Sequence, residues 1–96
     1  MILHTLSALP HSGAFADCLI SAGETDAILL LGNGVYCVLG GATAIKKLYD
    51  TGARLLVLTE HAQQAGVPSL PENFELIDMD GFVELTERYP RQLAWH

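Results

Sequence analysis

Cysteine is scarce in this sequence, and its two cysteines, Cys18 and Cys37, are too far apart to form a C-x-x-C pair. A disulfide framework needs more cysteines and a thioredoxin-type dithiol needs the close pair, so both are excluded. Long apolar runs are also lacking: the longest, Ala27 to Leu31, is far shorter than the roughly 20 residues that span a bilayer. No N-terminal stretch resembles a secretion signal. We therefore expect a cytoplasmic protein with reduced thiols and no membrane partner.

Positive charge is equally scarce, since five Lys and Arg stand against eleven Asp and Glu, for a formal net charge of −6. Such a chain lacks the field that attracts a phosphate backbone, so no direct nucleic-acid binding is expected. Half of the residues are apolar, which excludes a disordered chain. That fraction is more than a free monomer of this size needs, and it indicates burial against a partner chain.

Apolar runs and helical spacings alternate along the chain. Strand patterns cover residues 1–6, 27–31, 54–58, 74–77 and 92–95, the last being either a strand or a tail. Helical spacing covers residues 14–22, 43–49, 60–65 and 81–89, with Ser12, Thr59 and Asp80 as the predicted N-caps. This order predicts one domain over residues 1–96, a three-layer α/β/α sandwich with a mainly parallel five-stranded sheet.

The turn Gly32-Asn33-Gly34 follows a buried strand, which is where α/β sheets usually bind ligands. Successive backbone amides there could form an anion nest, and the chain would then be a stand-alone ligand-binding module. The spacing matches neither the dinucleotide fingerprint nor the P-loop. A tight turn that needs a positive φ is the simpler interpretation. We therefore predict no cofactor.

The two thiols are the only candidate nucleophiles, and no nucleophile-elbow pattern is present. Cys18 lies on the first predicted helix at the border of its apolar face, beside Asp17. A sulfur-carrying thiolate needs exposure and nearby positive charge, so a packed thiol is the simpler interpretation and a persulfide role stays open. Cys37 lies in an apolar stretch and is predicted to be buried. No catalytic residue is assigned.

Histidine spacing gives no recognisable metal site, since His4, His11, His61 and His96 form no ligand set. His4, on the first predicted strand, is expected to be a hydrogen-bonded core or interface residue. The C-terminal segment is more unusual, because Leu93 and Trp95 stand where chain ends normally fray. Aromatic side chains carry much of the energy of protein interfaces, so we predict a segment docked against the body of the domain or a neighbouring chain, and we assign Leu93 and Trp95 to an interface.

Taken together, several segments resemble the DsrH/TusB family along nearly the whole chain. The resemblance is carried by the opening Met1–Leu6 with Ser7 and Pro10, by Leu29–Leu31 leading into Gly34-Val35-Tyr36, by Phe82–Thr86, and by Pro90 with the Gln92–Trp95 ending. Each piece is weak alone, whereas their order, spacing and length are specific.

This resemblance implies a DsrEFH-like fold and a subunit of a sulfur-relay complex that passes persulfide sulfur. The implied partners are two homologous sister subunits, DsrE/TusD-like and DsrF/TusC-like, in a dimer of heterotrimers, and a downstream sulfur-acceptor protein. One branch serves 2-thiolation of the tRNA wobble uridine and the other serves dissimilatory sulfur oxidation, and the sequence does not choose between them.

The resemblance also bears on the cysteines. The carrier cysteine of the DsrE/TusD-like sister follows its third strand, and the matching stretch here, Leu58 to Ala62, has none. This absence implies a structural or auxiliary subunit that is not an enzyme. Cys18 matches a first-helix cysteine of DsrH-type members and of some TusB-type ones, so it is the one possible persulfide thiol.

Overall fold

The computed structural model describes all of residues 1–96. Five strands are present: β1 (Ile2–Leu6), β2 (Ala27–Leu30), β3 (Arg54–Leu58), β4 (Phe74–Ile77) and β5 (Arg91–Trp95). Four α-helices accompany them: α1 (Gly13–Ser21), α2 (Ala42–Asp50), α3 (Thr59–Ala65) and α4 (Met79–Arg88). A 3₁₀ helix spans Gly32–Val38. No helix combines the length and the apolarity that crossing a bilayer requires.

The strands form one sheet in the order β4-β3-β2-β1-β5, and every neighbouring pair is parallel. The chain steps from β1 to β4 in one direction and then crosses to the far side of β1. Because parallel crossovers are right-handed, helices α1 to α3 belong on one face and α4 on the other. The predicted three-layer sandwich is thus confirmed, with a sheet that is wholly parallel.

Each face of the sheet has its own apolar core. The larger core joins side chains of α1, α2, α3 and the 3₁₀ helix to one face of the strands. In the smaller core, Leu85 of α4 and Tyr89, which follows that helix, pack with Leu3, Leu29 and Leu56 of the central strands. β2 is fully buried along its length, which explains its unbroken apolar sequence.

Two of the predicted helix starts are wrong, and one is confirmed. The hydroxyl of Ser12 accepts a hydrogen bond from the Phe15 amide at 3.2 Å, as an N-cap should. The cap of α4 is Asp78, whose carboxylate accepts from the Gly81 amide at 2.8 Å. Asp80 instead lies inside the first turn, and Thr59 is the first residue of α3, so neither side chain occupies the capping position.

Candidate functional site

The C-terminal segment is a strand that completes the sheet. β5 pairs in parallel with β1, placing Trp95 opposite Leu6. The Trp95 carbonyl accepts a hydrogen bond from the Ser7 amide at 2.9 Å. Leu93 is 39% exposed on this edge strand. The segment therefore docks on its own chain, and the assignment of Leu93 and Trp95 to a subunit interface stays a prediction.

A buried polar cluster joins the first and last strands. The Trp95 Nε1–H donates to His4 Nδ1 at 3.0 Å, and the two rings stack at 25° with centroids 6.2 Å apart. Because His4 Nδ1 accepts, the ring proton lies on Nε2, which donates to the Asp26 carboxylate at 3.0 Å. His4 is fully buried, as expected for a hydrogen-bonded core residue. Both of its nitrogens are thus satisfied within the chain.

Asp26 is the anchor of this cluster. Its carboxylate also accepts from the backbone amides of Ile2 at 2.9 Å and Gly23 at 3.1 Å. Burial acts to raise the pKa of this carboxyl, but the hydrogen bonds from His4, Ile2 and Gly23 outweigh it and hold the pKa below its ordinary value. The cluster therefore ties the start of β1, the start of β2 and the end of β5 to one carboxylate.

Neither thiol is exposed in this conformation. Cys18 and Cys37 both have no accessible surface and belong to the larger core. Burial raises the pKa of Cys18 to about 12. Burial, with a smaller contribution from Cys18, raises the pKa of Cys37 to about 12. Both cysteines are free. A thiolate at neutral pH would require the core around Cys18 to open, so a persulfide on that residue stays a prediction that depends on such opening.

The glycine turn is occupied by contacts within the chain. Gly32 has the positive φ of a turn, +52°. The Gly34 amide donates to Leu31 O at 2.8 Å, and the Gly32 amide donates to His61 Nδ1 at 2.7 Å. A Cβ on Gly34 would lie 1.9 Å from Leu6 O, so only glycine fits there. The turn interpretation is confirmed. The Gly32 and Gly34 amides already donate hydrogen bonds within the chain, so they are not free to bind an anion as the nest would require.

A polar cleft of about 230 Å³ lies beside this turn, where β2 and β3 end. Its polar lining comes from Asn33, Tyr36, His61 and Gln64. No Lys, Arg, Asp or Glu lines it. No group of three or more His, Cys, Asp or Glu side chains is arranged to hold a metal ion. The cleft can therefore offer hydrogen bonds, but it supplies no fixed charge.

Sequence reasoning missed Asp26 and His61 as structural partners. Asp26 stands directly before the apolar run of β2, so a carboxylate at the start of a buried strand was the available signal. His61 follows β3 by three residues, at the end of the sheet where ligands usually bind. Neither pairing could be found from spacing, because His4 and His61 are separated from their partners by 22 and 29 residues.

Comparison with known proteins matches the chain to the family described as "DsrH like protein" over residues 10–92. A relative from Pectobacterium parmentieri, named "Protein TusB", is 38% identical over 98% of this chain and 100% of its own length. Proteins of the same name from Pectobacterium atrosepticum and Yersinia pestis are 35% and 36% identical over the same shares. This chain belongs to the DsrH family. The resemblance seen in the sequence is thereby confirmed, over almost the entire chain.

His61 lies in the stretch that follows β3 and begins α3. Among Leu58–Ala62, its side chain is the one that lines the cleft.

Proposed function

We propose that this chain is a non-catalytic subunit of a cytoplasmic sulfur-relay complex that passes persulfide sulfur toward 2-thiolation of the tRNA wobble uridine. The observation that carries the proposal is the match to proteins named TusB along their full length. The family's two homologous sister subunits and a downstream sulfur acceptor are the proposed partners. The chain's net charge of −6 supports leaving contact with tRNA to another component.

An auxiliary role is supported by the state of the thiols. A carrier must present a thiolate to a persulfide donor and then to an acceptor, so its sulfur needs an accessible path. Both cysteines are fully buried here, and burial raises the pKa of Cys18 to about 12. The subunit would therefore contribute by holding and orienting its sisters, while the carrier thiol belongs to a sister.

The alternative is a DsrH-type subunit of dissimilatory sulfur oxidation that uses Cys18 as a persulfide-carrying thiol. Two observations favour this alternative: the match to the DsrH family and the position of Cys18 on the first helix. This role requires α1 to move away from the sheet during transfer, since the thiol faces the larger core.

One experiment tests both roles. The wild-type chain and Cys18→Ala are each co-expressed with the two sister subunits in a strain that lacks its own TusB protein. Native mass spectrometry measures the complex, and mass analysis of hydrolysed tRNA measures 2-thiouridine. We expect a hexamer and restored thiolation with both chains. A wild-type chain that stays monomeric beside its sisters would refute the proposal.

The outcome for Cys18→Ala separates the auxiliary role from the carrier role. If this variant assembles normally but fails to restore thiolation, Cys18 is a carrier and the auxiliary role is wrong. A gain of sulfur mass on wild-type Cys18 after incubation with a persulfide donor would support the same conclusion. Thermal melting of the purified variant serves as the control for folding, because removing a buried sulfur leaves a small cavity.

A further inference from the structure

The hydrogen bonds around His4 can form together only while its ring is neutral. Nε2–H donates to the Asp26 carboxylate at 3.0 Å, and Nδ1 accepts from the Trp95 indole N–H at 3.0 Å. The imidazolium form of histidine has an N–H on both nitrogens and no acceptor. Because indole is a donor only, a proton on Nδ1 would set two N–H groups against each other. Protonation of His4 and its hydrogen bond with Trp95 therefore exclude each other.

Asp26 is the only charged group that faces the His4 ring. His4 lies on the same face of the sheet as Ile28, its register partner on β2, and Ile28 belongs to the larger core that α1 covers. On α1, burial raises the pKa of the Cys18 thiol to about 12, so this group stays neutral. The other ionisable groups on α1 and β5 and at the ends of the neighbouring elements are exposed: the Met1 amine, His11, Asp17, Glu24, Arg91 and His96.

The carboxylate of Asp26 can pair with either form of the His4 ring. Burial acts to raise the pKa of Asp26, but the hydrogen bonds from His4 and from the Ile2 and Gly23 amides hold it below its ordinary value. Asp26 therefore stays ionised in mild acid, and it accepts from Nε2–H whether or not Nδ1 carries a proton. The bond that a proton on His4 breaks is the one to Trp95.

Few other side-chain contacts hold β5 to the domain. β5 is an edge strand, and β1 is its only partner in the sheet. Its side chains from Arg91 to Ala94 are exposed, whereas Trp95 is partly buried and packs against the larger core. Segments with few buried contacts open at the lowest free energy. The Trp95 side chain is therefore the main contact that secures β5 beyond the backbone ladder.

We propose that His4 and Trp95 form a proton-sensitive latch on β5, closed while the ring is neutral and released when Nδ1 takes up a proton. In the released form the indole leaves Nδ1, the imidazolium stays paired with Asp26, and β5 frays from its C-terminal end. The closed form carries one proton fewer than the released form, so acidification favours release. Histidine side chains change charge between about pH 5 and pH 8, which sets the range of the response.

Trp95 is the only tryptophan, so its fluorescence reports on the latch directly. The full chain is titrated from about pH 8 to about pH 5 while fluorescence, acrylamide quenching and far-UV circular dichroism are recorded. We expect a reversible transition in which the quenching constant rises about twofold or more while the circular dichroism of the domain is kept. A fluorescence change that coincides with loss of the circular dichroism signal would be global acid unfolding and would overturn the proposal.

Two histidine variants identify the group that takes up the proton. His4→Gln removes the titrating ring, so the fluorescence transition should be absent. His96→Gln is the matched control, because His96 is exposed and adjoins Trp95 in the sequence, and this variant should keep the transition. A transition that persists in His4→Gln, or that disappears in His96→Gln, contradicts the latch.

Asp26→Asn separates a latch from a general loss of stability. Without the carboxylate the imidazolium is less stabilised, so the midpoint of the transition should move to lower pH by about one unit or more. A fold that is merely weakened would instead give way at higher pH, and a midpoint that rises or stays unchanged would refute the proposal.

Hydrogen exchange locates the opening along the chain. Between about pH 8 and about pH 5, the protection factors of the β5 amides should fall about tenfold or more, while those of β2 stay unchanged. An equal fall in both strands would mean that the domain opens as a whole, and the latch would be wrong.

Discussion

Replacing Trp95 with phenylalanine removes one donor from the buried polar cluster and keeps an aromatic ring in place. The indole N–H is the hydrogen-bond partner of His4 Nδ1, and His4 is fully buried, so the substitution leaves Nδ1 without its donor. Leaving a buried acceptor unsatisfied costs about 1–3 kcal/mol. For a domain of this size, about 2 kcal/mol corresponds to a fall in melting temperature of about 8–16 °C.

Circular dichroism is the suitable assay for this variant, because Trp95 is the only tryptophan and its fluorescence disappears with the substitution. Phenylalanine is also smaller than tryptophan, so part of the loss would come from packing. The variant His4→Gln separates the two contributions. Its amide N–H can still donate to Asp26, but it offers no acceptor at the position of Nδ1.

A double-mutant cycle then gives the energy of the indole–imidazole hydrogen bond. In the His4→Gln background, Trp95→Phe should lose only its packing contribution, so the two substitutions should couple by about 1 kcal/mol. Free energies of unfolding that add within about 0.5 kcal/mol would refute the hydrogen bond as a stabilising link between β5 and β1.

Three further predictions concern the core and the turn. The pKa of the Asp26 carboxyl is lowered in the folded state, so the ionised carboxylate stabilises the fold above about pH 4, and this stabilisation is lost as pH falls through the folded pKa. Urea unfolding should therefore show that Asp26→Asn is less stable than wild type at about pH 7 and closer to wild type at acid pH. Gly34→Ala should unfold the chain or lower the free energy of unfolding by at least about 3 kcal/mol in thermal melting, because its Cβ would lie 1.9 Å from the Leu6 carbonyl oxygen. Gly13→Ala is the control: a Cβ there would meet nothing within 4 Å, so stability should change by less than about 0.5 kcal/mol. Cys18 and Cys37 should react with a chromogenic disulfide only as fast as the core opens, and a fast reaction in native buffer would contradict their burial.

The strands were predictable from sequence where both faces of the sheet are buried. β2 and β3 have almost no exposed positions, so their apolar runs are continuous and their bounds differ from the prediction by at most one residue. The helices followed from spacing. α3 ends at Ala65, as predicted, and Gly66 after it adopts the left-handed conformation that glycine favours at a helix stop.

The details that could not be predicted depend on contacts between distant parts of the chain. The apolar stretch after Gly34 lies in the 3₁₀ helix, and Gly34 packs against the carbonyl of Leu6, an approach that local sequence does not encode. Asp78 and Asp80 are equally good caps by residue type. Which of them caps depends on where β4 leaves the sheet, at Ile77.

The order of the strands explains why Trp95 can reach His4 at all. The crossover from β4 to β5 must pass four strand spacings, about 19 Å at 4.8 Å each. The ten residues of α4 span about 15 Å, and its short connections at Asp78 and Pro90 supply the rest. One helix therefore covers the second face diagonally. The same crossing sets β5 beside β1, where Trp95 meets His4, so burial of that face and formation of the polar cluster depend on a single connection.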